Sequence, residues 1–139
     1  MSTRTGLAGE FIVCSSILQL EGDWTVYHTP QDKVDLLAHS DGLFLRIQVK
    51  TSSINLPKAK RTPSYHFQNG SGCKNKKLPT PAEMDIVAHC FLNHRTVAYY
   101  ATEQVQKYSQ RRSVQYATTP NMEQDSWDQA VQIVRERMR

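Results

Sequence analysis

Asp35-Leu36-Leu37-Ala38-His39-Ser40-Asp41-Gly42-Leu43-Phe44-Leu45-Arg46-Ile47-Gln48-Val49-Lys50-Thr51 is the stretch on which the fold turns. From Leu43 onward it alternates. Leu43, Leu45, Ile47 and Val49 fall on one side of an extended chain, and Phe44, Arg46, Gln48 and Lys50 on the other. Asp41-Gly42 is a strong hairpin signal, because both centres of a tight two-residue turn need positive φ. The hairpin brings Asp35 back beside Gln48 and Lys50. A carboxylate, an amide oxygen and an ammonium gathered at one edge of a small sheet suit metal-dependent cleavage of a phosphodiester.

Outward from the hairpin, the pattern predicts a helix over 5–20, with Leu7, Phe11, Cys14 and Leu18 at helical spacing and Val13 and Ile17 widening the apolar side. Trp24 to Thr29 alternates and reads as a first strand stopped by Pro30. Strands over 34–39 and 43–51 complete a meander. The chain then turns polar from Ser52 to Pro81, punctuated by Pro57, Pro63, Gly70, Gly72, Pro79 and Pro81, with Ser64–Gln68 as a short strand inside it. A connection of this length in a compact domain is functional or disordered. Strands return over 84–92 and 95–101. A final helix over 122–138 carries Trp127, Ala130, Val131, Val134 and Met138 on one stripe, with Asn121 as its N-cap. The order α-β-β-β-arm-β-β-α predicts an α/β (α+β) domain spanning 1–139, a sheet flanked by helices, with 52–82 inserted as a projecting arm.

The chain has 139 residues and a formal charge of +4. The distribution of charge is more telling than its total. Between Asp41 and Glu83 there is no acid, yet the segment holds Arg46, Lys50, Lys58, Lys60, Arg61, Lys74, Lys76 and Lys77. Such a one-signed block is a nucleic-acid surface or a solvated loop that orders only on oligomerisation. Cys14, Cys73 and Cys90 are odd in number and have no C-x-x-C spacing, so reduced thiols are expected rather than a disulfide framework. Cys73, His89, Cys90 and His94 match no common zinc spacing. No apolar run spans a membrane and no signal peptide is visible, so a cytoplasmic protein is expected.

Each candidate site residue has a plain reading beside the chemical one. Glu10 lies three residues after Leu7 and four before Cys14, on or beside the apolar stripe; it either rotates to solvent or serves a site. Asp35 either caps a turn or offers a hard oxygen ligand from a strand, where aspartate is intrinsically disfavoured. Lys50 is either an exposed strand lysine or the cation that holds an attacking water and balances phosphate charge. Gln48 and the Val49 carbonyl offer neutral oxygens to the same metal.

Glu10 on a helix, Asp35 on a strand and Gln48-Val49-Lys50 on the next resemble the PD-(D/E)XK nuclease superfamily. Its pattern is a helix acid, a strand Asp and (Asp/Glu)-x-Lys. Here Val34 stands for the nominal Pro and Gln48 for the second acid. The Gln-x-Lys variant resembles a small branch that includes a cyanobacterial group I intron homing endonuclease. The resemblance spans about 6–101. It implies a restriction-endonuclease-like core and Mg²⁺-dependent hydrolysis of double-stranded DNA, with Mn²⁺ as a substitute. It also implies homo-oligomeric action, with a tetramer expected first and a dimer second. The cell would be bacterial or phage-infected.

The arm supplies the expected DNA contacts: Lys58, Lys60, Arg61, Tyr65, Gln68, Lys74, Lys76 and Lys77. Lys107, Arg111 and Arg112 read as a solvated face. The competing functions are a Holliday-junction resolvase or repair nuclease of the same fold, a DNA-binding module with an impaired site, and a plain structural domain.

Overall fold

The computed structural model describes residues 3–31, 33–54, 62–70 and 76–139. Its elements, in chain order, are helix α1 (Thr3–Gln19), strands β1 (Thr25–Gln31), β2 (Val34–Ser40), β3 (Leu43–Ser52), β4 (Ser64–Gln68), β5 (Ile86–Phe91) and β6 (Thr96–Ala101), a 3-10 turn (Thr102–Gln104), strand β7 (Ser109–Ser113), and helices α2 (Val114–Ala117) and α3 (Met122–Arg137). Five strands form one mixed sheet in the order β1-β2-β3-β5-β6. All neighbours are antiparallel except β3 and β5, which run parallel.

The hairpin forms as its turn residues demand. Asp41 and Gly42 both take positive φ, 48° and 79°, and the register runs from Ser40 opposite Leu43 to Leu36 opposite Ile47. Leu36, Ala38, Leu45 and Ile47 are fully buried beneath the helices, together with Val13 and Ile17 of α1 and Trp127 and Val134 of α3. Burial of such apolar area, at roughly 25 cal/mol per Å², is what holds helices and sheet together. Trp24 and Tyr99 meet Trp127 edge-on at 5.0 and 4.9 Å. The opposite face of the sheet carries a second cluster, Phe91 and Ala98 with Tyr65 and Phe67 of β4 and Ala117 and Met122.

Four expectations are corrected. The first strand continues through Pro30 to Gln31, with a register shift after His28; β1 is an edge strand, where a missing N–H breaks no ladder. On α1, Leu7, Phe11 and Leu18 are exposed, and Gly9, Val13, Ser16 and Ile17 form the buried face instead. The reason is a close approach: a Cβ at Gly9 would lie 1.9 Å from Thr51 Oγ1, whereas one at Gly6 meets nothing within 4 Å. The helix is thus rotated to seat Gly9 on β3. Asn121 precedes α3 through a left-handed backbone (φ 63°) rather than a side-chain cap.

The fourth correction concerns the arm. Ser64–Gln68 is a strand, as expected, but it does not project. It pairs antiparallel with Ser109–Ser113, a strand whose polar residues carry no apolar alternation, and this two-stranded ribbon lies on the sheet. Lys58, Lys60, Arg61 and Lys74 lie outside the described residues. Among the described residues, no helix is long and apolar enough to cross a membrane.

Candidate active site

β3 outruns β2. Their ladder ends at the Leu36–Ile47 pair, and the next free amide, Val49 N–H, donates instead to Asp35 Oδ2 at 2.8 Å. The carboxylate thereby takes the place of a strand carbonyl, and this fixes Asp35 against the Gln48–Lys50 turn of the pleat. Its other oxygen has no hydrogen-bond partner among the described residues. Burial raises the Asp35 pKa above the ordinary carboxylate range; the Val49 N–H opposes this, Glu10 adds to it, and Lys50 and His28 pull it down.

Gln48 is 7 % exposed, and its amide makes no hydrogen bond among the described residues. Lys50 is half-buried, and its ammonium has no ion-pair or hydrogen-bond partner there either. Burial lowers the Lys50 pKa, and the charge of Asp35 offsets part of that. A half-buried ammonium beside a carboxylate, with neither locked into an ion pair, is costly to stability. It is what a site waiting for a ligand of mixed charge requires. The register partner of Lys50 is His89 on β5. His89 is fully buried and held neutral by burial, then by the charges of Arg112 and Lys50, with its pKa lowered to about 3. Its Nε2 lies 2.7 Å from Asn69 Oδ1, and the Asn69 amide donates to the Lys107 carbonyl, so Nε2 carries the proton and buried Nδ1 is left without a partner among the described residues.

Glu10 reaches the site from α1. The seating of Gly9 on Thr51 brings the next residue toward β1, where Glu10 Oε1 lies 2.8 Å from His28 Nε2. His28 also stacks on Phe11 at 5.1 Å. His28 was not among the expected site residues, although the alternation of β1 already put it on the face of Val26. Glu10 therefore neither rotates to solvent nor touches Asp35; it acts on Asp35 through charge.

The structure thus gathers Asp35, Gln48, Val49 and Lys50, with Glu10 alongside. It removes Tyr65 from the DNA-facing set: the ring is fully buried and its hydroxyl lies 2.6 Å from His94 Nδ1. Alternation explains this, because Tyr65 and Phe67 point into the core while His66 and Gln68 point out. Gln68, Lys76 and Lys77 are exposed. Among the described residues, no group of three or more His, Cys, Asp or Glu is placed to hold a metal ion. The oxygens present (Asp35, the Gln48 amide, the Val49 carbonyl) are a hard set of low charge. Their unpartnered Asp35 and Gln48 atoms fit a divalent cation that keeps several of its waters. A groove of about 750 Å³ lies elsewhere, between α1 and the start of α3, lined by Phe11, Gln19, Arg95, Thr118 and Gln124.

No curated protein matches the sequence. Among solved structures, a bacterial homing endonuclease, I-Ssp6803I, superposes with a TM-score of 0.67 at 15% identity, covering 100% of this chain and 99% of that one. The likeness is one of fold: a mixed sheet flanked by helices. The sequence profile of the PD-(D/E)XK endonuclease family matches residues 2–132, nearly the whole chain, and the protein belongs to that family of nucleases.

Proposed function

We propose that the protein is a Mg²⁺-dependent, site-specific endonuclease that hydrolyses phosphodiester bonds of double-stranded DNA, as a homing endonuclease does. The observation that carries this reading is the pairing of a half-buried Asp35 with an unpartnered Lys50 at the point where β3 leaves β2. Asp35, Gln48 and the Val49 carbonyl would hold the cation, with Mn²⁺ as a substitute for Mg²⁺. When bound, the cation supplies Lewis-acid polarisation of the phosphate and a more acidic water.

The chain's own groups do the rest. Lys50 donates to the attacking water or to a non-bridging phosphate oxygen and balances the charge that develops there. Glu10, braced by His28, orients a second water. Asp35 must be ionised to ligate, so cleavage should fall as pH drops through its raised pKa. Exposed Gln68, Lys76 and Lys77, with Lys58, Lys60, Arg61 and Lys74 of the same acid-free segment, would contact DNA. The exposed apolar stripe Leu7, Phe11 and Leu18 on α1 supports homo-oligomeric action.

The test is Mg²⁺-dependent cleavage of a linear duplex drawn from a candidate insertion site, against a branched junction of matched length. Cleavage of the duplex is expected, lost in Asp35→Ala and Lys50→Ala while DNA binding in Ca²⁺ persists. Full nicking by Asp35→Ala would overturn the reading, and preference for the junction would make the protein a resolvase.

A further inference from the structure

We infer that the outer face of the β4–β7 ribbon is a base-reading surface for the major groove, with Arg111 and His66 as its central pair. The inference rests on the endonuclease reading above and names how that enzyme would choose its site.

The ribbon joins two acid-free parts of the chain. β4 belongs to the segment between Asp41 and Glu83. β7 belongs to a second segment, between Glu103 and Glu123, which holds Lys107, Arg111 and Arg112 and no acid. Their pairing sets His66 opposite Arg111, Gln68 opposite Ser109 and Ser64 opposite Ser113. His66, Gln68, Ser109, Arg111 and Ser113 are exposed, so one face of the ribbon is a grid of hydrogen-bonding side chains without a carboxylate or a large apolar group. Arginine and glutamine are the side chains that read guanine and adenine edges bidentately, and serine pairs with either.

The two arginines of β7 differ in a way that singles out Arg111. Arg112 is tied inward: its Nη2 donates to Tyr100 Oη at 3.1 Å, and its guanidinium sits 4.5 Å from the Tyr116 ring centroid. The Arg111 side chain has no hydrogen bond, ion pair or ring contact among the described residues. The inner face of the ribbon is anchored. Phe67 stacks on His89 at 4.1 Å, and the His66 amide donates to Ser52 Oγ at 3.1 Å. A rigid scaffold thus presents a free guanidinium, which lowers the entropy lost on docking. Same-face residues on a strand are about 6.8 Å apart, close to two base-pair steps, and a two-stranded ribbon fits a groove about 12 Å wide. Since His89 is the register partner of Lys50, the ribbon covers the strand beside the cleaving residues.

The test uses the full chain and a duplex library with a randomised core, selected by binding in Ca²⁺ and then sequenced. Wild type, Arg111→Ala, His66→Ala and Arg112→Ala are compared, with Mg²⁺ plasmid nicking measured alongside. Arg111→Ala is expected to weaken the selected duplex about tenfold and flatten preference at one or two adjacent positions. Arg112→Ala is expected to lower thermal stability and leave the motif unchanged. An unchanged motif and affinity in both Arg111→Ala and His66→Ala would overturn the inference. So would a uniform loss on all sequences with a salt slope smaller by about one, the mark of a phosphate contact. A wild-type protein that nicks DNA yet selects no motif sinks base reading and leaves the nuclease reading standing; one that nicks nothing sinks the nuclease reading itself.

Discussion

Asp35 and Asp85 lie on opposite sides of β3, one against Val49 from β2 and the other against Arg46 just ahead of β5, and the protein treats them in opposite ways. Asp85 accepts from the Arg46 amide, from Arg46 Nε and Nη2, and from Arg137 Nη1, at 2.8, 3.1, 3.2 and 2.9 Å. Arg46 is itself spread over the Pro81 and Ala82 carbonyls, and Arg137 continues to Glu103. Among the described residues, Asp35 accepts one amide and has an ammonium nearby that it does not bind. Burial acts to raise both pKa values. At Asp85 the Arg46 hydrogen bonds and charge, then Arg137, more than offset it and hold the carboxyl below its ordinary value; at Asp35 burial wins. A carboxylate that the fold satisfies is a strut. One that the fold leaves short of donors is held ready for a partner that is not part of the chain.

The widest separation between the two should come from their amides. Asp35→Asn is expected to cut Mg²⁺-dependent cleavage by about 10³-fold, ~4 kcal/mol of transition-state stabilisation. Its melting temperature should match or exceed wild type, because a costly buried charge is gone. Asp85→Asn should do the reverse. Removing one partner of a buried ion pair costs about 3–5 kcal/mol, and the partly solvated guanidiniums reduce this to about 2–3. Their side chains are 36% and 22% exposed. Thermal melts and single-turnover cleavage on both variants check it; a large stability loss in Asp35→Asn would dissolve the contrast.

Acid separates the sites next. Asp85, depressed when folded, stabilises the protein above the unfolded aspartate value and loses that contribution as pH falls through its folded pKa. Asp35, raised when folded, has the opposite sign, so its penalty is relieved as pH falls. Between these stands His89, whose folded pKa of about 3 lies below the unfolded value of 6.5. The unfolded chain takes up a proton below about pH 6.5 and the folded one does not, so stability declines by about 1.4 kcal/mol per pH unit from there toward pH 3. Chemical denaturation from pH 7 to 4 should show this slope in wild type and lose it in His89→Phe. Persistence of the slope in that variant would mean another group carries it.

How far the two sites could be read in advance differs for the same physical reason. Asp35, Gln48 and Lys50 were legible because strand alternation and an Asp-Gly turn are local rules, and one hairpin brings the residues together. Glu10 was legible as an oddity on an apolar stripe, but its partner was not, since the true rotation of α1 depends on Gly9 meeting Thr51. The Asp85 network was invisible. Its arginines stand 39 and 52 residues away, and no periodicity links them. β7 escaped for want of apolar residues, and with it the pairing that pulled Tyr65 inward.

The smallest effect tests whether the contrast is one of charge count alone. Gln48→Glu sets a second carboxylate beside Asp35 without adding a donor. In EDTA the two acids should raise each other's pKa and lower the melting temperature by a few degrees, about 1 kcal/mol, since the half-buried Lys50 offsets only one of them. With Mg²⁺ present the added ligand should lower the half-saturating metal concentration about tenfold and restore the lost stability. Calorimetric titration of the metal and melts with and without it measure both terms. If the variant is instead stabilised in EDTA, Lys50 has closed onto the new carboxylate, the Gln48–Lys50 stretch of β3 has become a second strut like Asp85, and cleavage should fall with it.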